Sequence, residues 1–353
     1  MSADTPEETV KRKKRRKAPT GAEGATAGGT EKLRKRRRRQ DAGDAADVAG
    51  ESAPAGRNKR RGGKNKERGG KDHTGSSNML ASLNYLLDGL AGEHHDQIEG
   101  KEKLLPNAII IGAAKSGTTT LIDALGKHAD IFRSSPKEPK FLSMEYDKGW
   151  AWYLRLFREG VDKKIRMEAS TRYSSGQGSH RFAPLLMKTY LPDVKIIHMS
   201  RQPMDRVVSH WRHVKGRDEN GRHGDFNSML EEKSLTGLVV GSSMYWARLS
   251  EYRRFFPDEQ ILCLTMEDMI SDAPGTLKKV LEFLGLPATQ EAMDTVLVDG
   301  KFEQQNEAGA KGRVYFDKPE WSPEMYAKVK AMVEPDMKKY LAYIGKPEDY
   351  WKI

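Results

Sequence analysis

Residues 106–353 predict an α/β fold in which a parallel β-sheet is flanked by helices, and three observations carry that expectation. Short, strongly apolar runs at Ala108–Ile111, Val194–Met199 and Gln260–Thr265 read as strands buried on both faces. They alternate with longer stretches of helical periodicity, the pattern of strand–helix–strand units. The first run also ends in a glycine-bounded turn that opens into another helix, a P-loop-like arrangement. A fourth and less apolar run, Ile165–Glu168, reads as a strand in the same series. Helices are expected near Thr119–Lys127, Trp150–Phe157, His180–Tyr190, Met204–Val214, Ser242–Phe256, Thr276–Leu284 and Pro323–Tyr343.

The chain ahead of this domain has a different character. Residues 1–75 hold 22 Lys or Arg against 11 Asp or Glu, a net of +11 that equals the net charge of the whole 353-residue chain. Large apolar residues are sparse there and aromatic residues absent, so the segment cannot build a core and is expected to be a disordered basic tail. Its basic clusters, Lys11–Lys17, Lys32–Arg39 and Arg57–Lys71, suit non-specific contact with an anionic surface or nucleic acid. Residues 76–105 form a linker, in which Met79–Leu90 has apolar residues at helical spacing and Gly92 as a stop. That helix reads as docked on the domain that follows.

A single cysteine, Cys263, excludes an intramolecular disulfide and a multi-cysteine metal site, which predicts a reducing, cytoplasmic setting and no metal. No apolar run reaches the roughly 18–20 residues of a membrane span.

The turn after the first strand is Gly112-Ala113-Ala114-Lys115-Ser116-Gly117-Thr118-Thr119-Thr120. Backbone N–H groups, hydroxyls and one lysine converge there on an anion site. A nucleoside-triphosphate loop has its lysine directly after the second glycine. Here Thr118 holds that position and the lysine lies inside the loop at Lys115, which suits a phosphate and sulfate leaving group bound without a metal. The arrangement resembles the 5′-phosphosulfate loop of the sulfotransferases that use 3′-phosphoadenosine 5′-phosphosulfate (PAPS). The resemblance implies that Lys115 bridges the 5′-phosphate and the transferring sulfuryl group, with Ser116, Gly117, Thr118, Thr119 and Thr120 around the phosphate.

A second anion site follows the Val194–Met199 strand, where Arg201 stands before a helix opened by Pro203, with Ser209 about two turns along it. This is similar to the family's Arg-x-Pro-x-x-Arg-x-x-Ser pattern for the 3′-phosphate, and a guanidinium fork suits phosphate oxygens. Arg206, in the same pattern, reads equally well as a surface partner of Asp205 or Glu219. The basic turn Lys311-Gly312-Arg313 resembles a PAPS-contacting turn of the heparan sulfate-modifying members, which makes all three cofactor candidates.

Sulfuryl transfer needs a base for the acceptor and a cation for the leaving phosphate. The segment Lys137-Glu138-Pro139-Lys140-Phe141-Leu142 resembles the Lys-Glu-x-x-Phe-Phe run of the heparan-type and bacterial members, which implies Glu138 as general base and Lys115 as the cation. Met167–Tyr173 resembles the family's Glu-Lys-[Ser/Thr]-Pro-x-Tyr segment, with Ala169 in place of the lysine; Glu168 there is read as a partner for Lys115 or Arg172. His198 reads as a core histidine, and Trp150, Trp152, Tyr153 and Phe157 as core aromatics. Gly216–Gly224 and Gly237–Ser243 read as lids facing the acceptor. The chain is therefore expected to be a PAPS-dependent sulfotransferase acting on a hydroxyl or amine of a glycan, lipid headgroup or small metabolite. The alternatives are a P-loop nucleotide kinase and a protein acting through anionic-surface or nucleic-acid binding by its tail.

Overall fold

The computed structural model describes residues 73–216, 224–232, 236–303 and 316–353. The basic tail lies outside them, apart from its last three positions, as does the turn Lys311–Arg313. Five strands, β1 (Ala108–Gly112), β2 (Ile131–Arg133), β3 (Ile165–Ala169), β4 (Lys195–Ser200) and β5 (Ile261–Thr265), make one sheet in the order β2-β3-β1-β4-β5. Every pairing is parallel. β1 is central, with Ile110 opposite Ala169 on one side and Ile197 on the other.

The continuous apolar runs follow from burial on both faces. Ile109 and Ile111 enter one core cluster while Ala108 and Ile110 enter a second, as a two-residue side-chain period requires. The second cluster is closed by α2 (Thr118–Leu125) and α9 (Ala273–Leu284), through Leu121, Leu125, Leu277 and Leu281. On the opposite face lie α3 (Trp150–Arg155), α4 (Ala183–Tyr190), α7 (Tyr245–Arg253) and α11 (Pro323–Tyr343). Trp150, Tyr153 and Phe157 are fully buried there, in agreement with their reading as core aromatics. A third cluster joins α5 (Pro203–Lys215) and α6 (Phe226–Glu231) to α11, around Val207, Trp211, Phe226 and Val329.

The remaining helices are α1 (His73–Ala91), α8 (Met266–Ser271) and α10 (Gln290–Val296). α1 starts earlier than its apolar spacing suggested. It rests on the first core cluster through Tyr85, Leu86 and Leu90, while Leu80, Leu83 and Leu87 stay exposed. Gly89 sits so close to the Tyr146 ring that an added Cβ would lie 2.4 Å from one ring carbon. The stretch Gly237–Ser243, expected as a lid, is instead part of the interior: Val239, Val240, Ser242 and Ser243 are all buried. Residues 217–223, from the other expected lid, lie outside the described residues. Among the described residues no helix is long and apolar enough to cross a membrane.

Candidate active site

Ligands of open parallel sheets bind beyond the carboxyl ends of the strands, near the point where the strand order reverses. In this sheet that point is β1, between β3 and β4. The Gly112–Thr120 loop leaves β1 and is tied to β4 at once, because the Ala113 N–H donates to the Met199 carbonyl at 2.6 Å. Lys115 and Gly117 both have positive φ, 71° and 86°, and Gly117 is the residue that precedes α2. The first backbone bond of α2 runs from Leu121 N–H to the Gly117 carbonyl, so the N–H groups of Thr118, Thr119 and Thr120 lie ahead of the helical ladder and point out of its N-terminus. These donors, with half-buried Lys115, form a cradle whose chemistry fits a phosphate or sulfate group.

Arg201 follows β4 and its backbone is clamped by Tyr245: the Tyr245 hydroxyl donates to the Arg201 carbonyl at 2.6 Å and accepts its N–H at 3.3 Å. The Arg201 side chain makes no hydrogen bond or ion pair with the described residues, and Ser209 is half-buried on α5 behind it. Neighbouring strands thus deliver the loop lysine and the arginine to one sheet edge.

Arg206 takes neither role expected for it. Its guanidinium is fully buried and donates to Ser243 Oγ (2.6 Å), the Ala114 carbonyl (3.2 Å), His210 Nδ1 (3.1 Å) and the Val239 carbonyl. It staples the phosphate loop to α5 and to the buried 239–243 segment. Burial pushes its pKa down to about 10, so it stays charged at neutral pH. Burial, then the Arg206 charge, holds the His210 imidazole well below its usual range, and that ring accepts from the arginine.

Glu138 lies on the segment between β2 and the core, and that segment runs along the end of β3: the Ala169 N–H donates to the Lys137 carbonyl at 3.2 Å. Glu138 Oε1 accepts from Lys137 Nζ and from Thr171 Oγ1, each at 3.2 Å. The Thr171–Ser174 turn in turn abuts Gly112, where a Cβ would lie 2.9 Å from the Thr171 carbonyl. Glu138, the Thr171 turn and the Gly112–Thr120 loop are therefore contiguous.

Glu168 does not pair with Lys115 or Arg172. It is fully buried, and Tyr153, Tyr173 and Ser170 donate to it at 2.7, 3.0 and 2.5 Å. Burial pushes its carboxyl up to about 7, against the pull of those three donors. His198 is a core residue as expected. Its Nδ1 donates to Tyr340, whose hydroxyl passes its proton on to Ser200. Burial holds it at about 4, which leaves it neutral. The Tyr245 clamp and the contacts of Arg206 with Ala114, Val239 and Ser243 escaped the sequence reading because they join residues 33 or more positions apart, and the Glu168 cluster because no local pattern marks its contact with Tyr153, 15 positions away.

The sulfotransferase domain family matches residues 105–340. The chain belongs to that family. As a sulfotransferase it is 34% identical over 190 residues to human heparan sulfate glucosamine 3-O-sulfotransferase 3B1, an alignment covering 52% of this chain and 47% of the relative. The chain thus spans about half the length of that relative. It is also 24% identical over 275 residues to human heparan sulfate glucosamine 3-O-sulfotransferase 5, covering 73% of this chain and 78% of the other. The crystal structure of a sulfotransferase from Alicyclobacillus acidocaldarius superposes with a TM-score of 0.55 at 25% identity, over 70% of this chain and 98% of that one.

The family replaces the nucleotide-kinase alternative, which rested on the strand, loop and helix alone. The cytoplasmic expectation is corrected as well. Heparan sulfate is modified in the Golgi lumen, and the relatives are named for it. A lone cysteine forms no intramolecular disulfide in either compartment, so Cys263 could not have decided the matter.

Proposed function

We propose that this sulfotransferase moves the sulfuryl group of PAPS to a hydroxyl or amine of a glycan, with Glu138 as the base and Lys115 facing the leaving phosphate. The observation that carries it is the contiguity of the Lys115 loop, the Thr171 turn and Glu138 at the switch point of the sheet. PAPS supplies an activated sulfuryl group whose departure leaves a phosphate. On this reading Gly117, Thr118, Thr119 and Thr120 hold the 5′-phosphate by backbone and hydroxyl donors, joined by Ser116. Arg201 and Ser209 hold the 3′-phosphate, and Lys311, Gly312 and Arg313, which lie outside the described residues, are cofactor contacts by the same resemblance.

Glu138 is held through Oε1 by Lys137 and Thr171, which leaves Oε2 to take the acceptor's proton. As the acceptor oxygen or nitrogen bonds to sulfur and the bond from sulfur to the phosphate oxygen breaks, Lys115 meets the charge that develops on the leaving phosphate. The names of the relatives support a glycan acceptor. Ala169, at the position of the family lysine, argues against carrying their acceptor over unchanged.

Calorimetric binding of 3′-phosphoadenosine 5′-phosphate (PAP), with and without magnesium, tests the reading. Metal-independent binding that Lys115→Ala and Arg201→Ala each weaken by about tenfold or more is the expected result, since each removes a charged phosphate contact. Binding of ATP with magnesium in its place would overturn it. Glu138→Gln is expected to lower kcat with PAP affinity kept; full turnover in that variant would place the base elsewhere.

A further inference from the structure

The hydroxyls around Glu168 have a second set of contacts. Ser170 Oγ gives its proton to Glu168 Oε2 and accepts the Lys140 N–H at 3.0 Å. The Tyr173 hydroxyl gives its proton to Glu168 Oε1 and accepts the Leu142 N–H at 3.1 Å. Because the carboxylate takes both protons, the lone pairs of both hydroxyls are turned toward the backbone of the base-bearing segment. With the Ala169 N–H on the Lys137 carbonyl, residues 137–142 are fastened to the end of β3 on either side of Glu138. Tyr153 adds a third donor, so one buried carboxyl group ties three hydroxyls together.

We propose that Glu168 is a positioning residue for the reaction, fixing the place of Glu138 through Ser170 and Tyr173 as relays. This rests on Glu138 being the base. Glu168 touches neither reactant; it acts by setting the path of residues 137–142, where a displacement of about 1 Å is enough to cost on the order of 100-fold in rate.

Hydrogen exchange at the Lys140 and Leu142 amides, measured on the full chain, reads the relays without any acceptor. Ser170→Ala and Tyr173→Phe are expected to speed exchange at Lys140 and Leu142 respectively by about tenfold or more, roughly what loss of one buried hydrogen bond allows. Glu168→Gln is expected to speed both. In transfer of labelled sulfate from PAPS to heparan sulfate, or to whichever glycan the wild type turns over, the same variants are expected to lose about tenfold or more in kcat while PAP affinity stays within about twofold. Ser170→Thr, which restores the hydroxyl, is expected to recover both readouts. Unchanged exchange in the two relay variants overturns the proposal, as does unchanged kcat. If Glu168→Gln does not fold, the relay variants decide alone. Full turnover in Glu138→Gln would reject the base assignment and with it the catalytic meaning of the relay. A dead Glu138→Gln beside fully active relay variants would reject only the positioning role.

Discussion

Arg206 is fully buried and every group it meets among the described residues is neutral: two carbonyls, a serine hydroxyl and an imidazole nitrogen. A planar guanidinium can serve four such acceptors in fixed directions, and an ammonium cannot. Arg206→Lys is therefore expected to cost about 2–3 kcal/mol of stability, the range for charged hydrogen bonds lost in the interior, and to loosen the phosphate loop at Ala114. A lowered melting temperature with weakened PAP binding checks this; an unchanged melting temperature would show that the staple is dispensable. Glu168 carries a prediction of opposite character, since its pKa is raised on folding from 4.5 to about 7. The folded state keeps a proton that the unfolded chain releases, so this group favours folding most below pH 4.5. Its contribution falls as pH rises to about 7, by roughly 3 kcal/mol at 1.36 kcal/mol per pKa unit. Glu168→Gln cannot titrate there. Wild type is therefore expected to lose stability relative to that variant between pH 5 and 7.5 in thermal denaturation, and the buried histidines cancel because both proteins contain them. Parallel curves across that range would mean that Glu168 is ionised throughout.

At the scale of elements, the junction of β1 with its loop depends on Gly112. Its φ is 141°, and a Cβ would lie 2.0 Å from Ser174 Oγ and 2.9 Å from the Thr171 carbonyl. Gly112→Ala must push the phosphate loop away from the turn that carries Thr171, and PAP binding is expected to weaken by about tenfold or more, a loss of about 1.4 kcal/mol that calorimetry resolves easily. The glycine was legible in the sequence because a strand ran straight into it, and the same holds for β1, β4 and β5, whose largely buried positions leave strongly apolar runs. β2 was not legible. It has three residues, ends in exposed Arg133 and borders the sheet, so it has too little length or burial for a pattern. The 236–243 stretch misled for the opposite reason: glycines and serines suggest a loop at the surface, yet Ser243 is placed inside to accept from Arg206 and Ser242 to donate to the Leu238 carbonyl. Glu138 was found through a short motif. The hydroxyls that hold its segment lie about 30 positions further along the chain, and only the folded sheet brings them there.

For the molecule as a whole, net charge and the site motifs are divided along the sequence. Residues 1–72 carry the entire net charge of +11, since 22 Lys or Arg and 11 Asp or Glu fall within them. The remainder, which contains every motif of the phosphate cradle, has equal numbers of each sign. The local cations of the cradle therefore have to attract the nucleotide without help from a net field of the body, and contacts at that range are little affected by a screening length of about 8 Å at physiological salt. A tail of high net charge acts differently, through long-range attraction to polyanions that salt weakens. A chain beginning at His73 is accordingly expected to bind PAP within about twofold of the full chain at physiological salt. On immobilised heparin the full chain is expected to elute at clearly higher salt than the shortened one. Equal elution would assign polyanion binding to the folded body. A loss of PAP affinity on shortening would instead make the tail part of the nucleotide site.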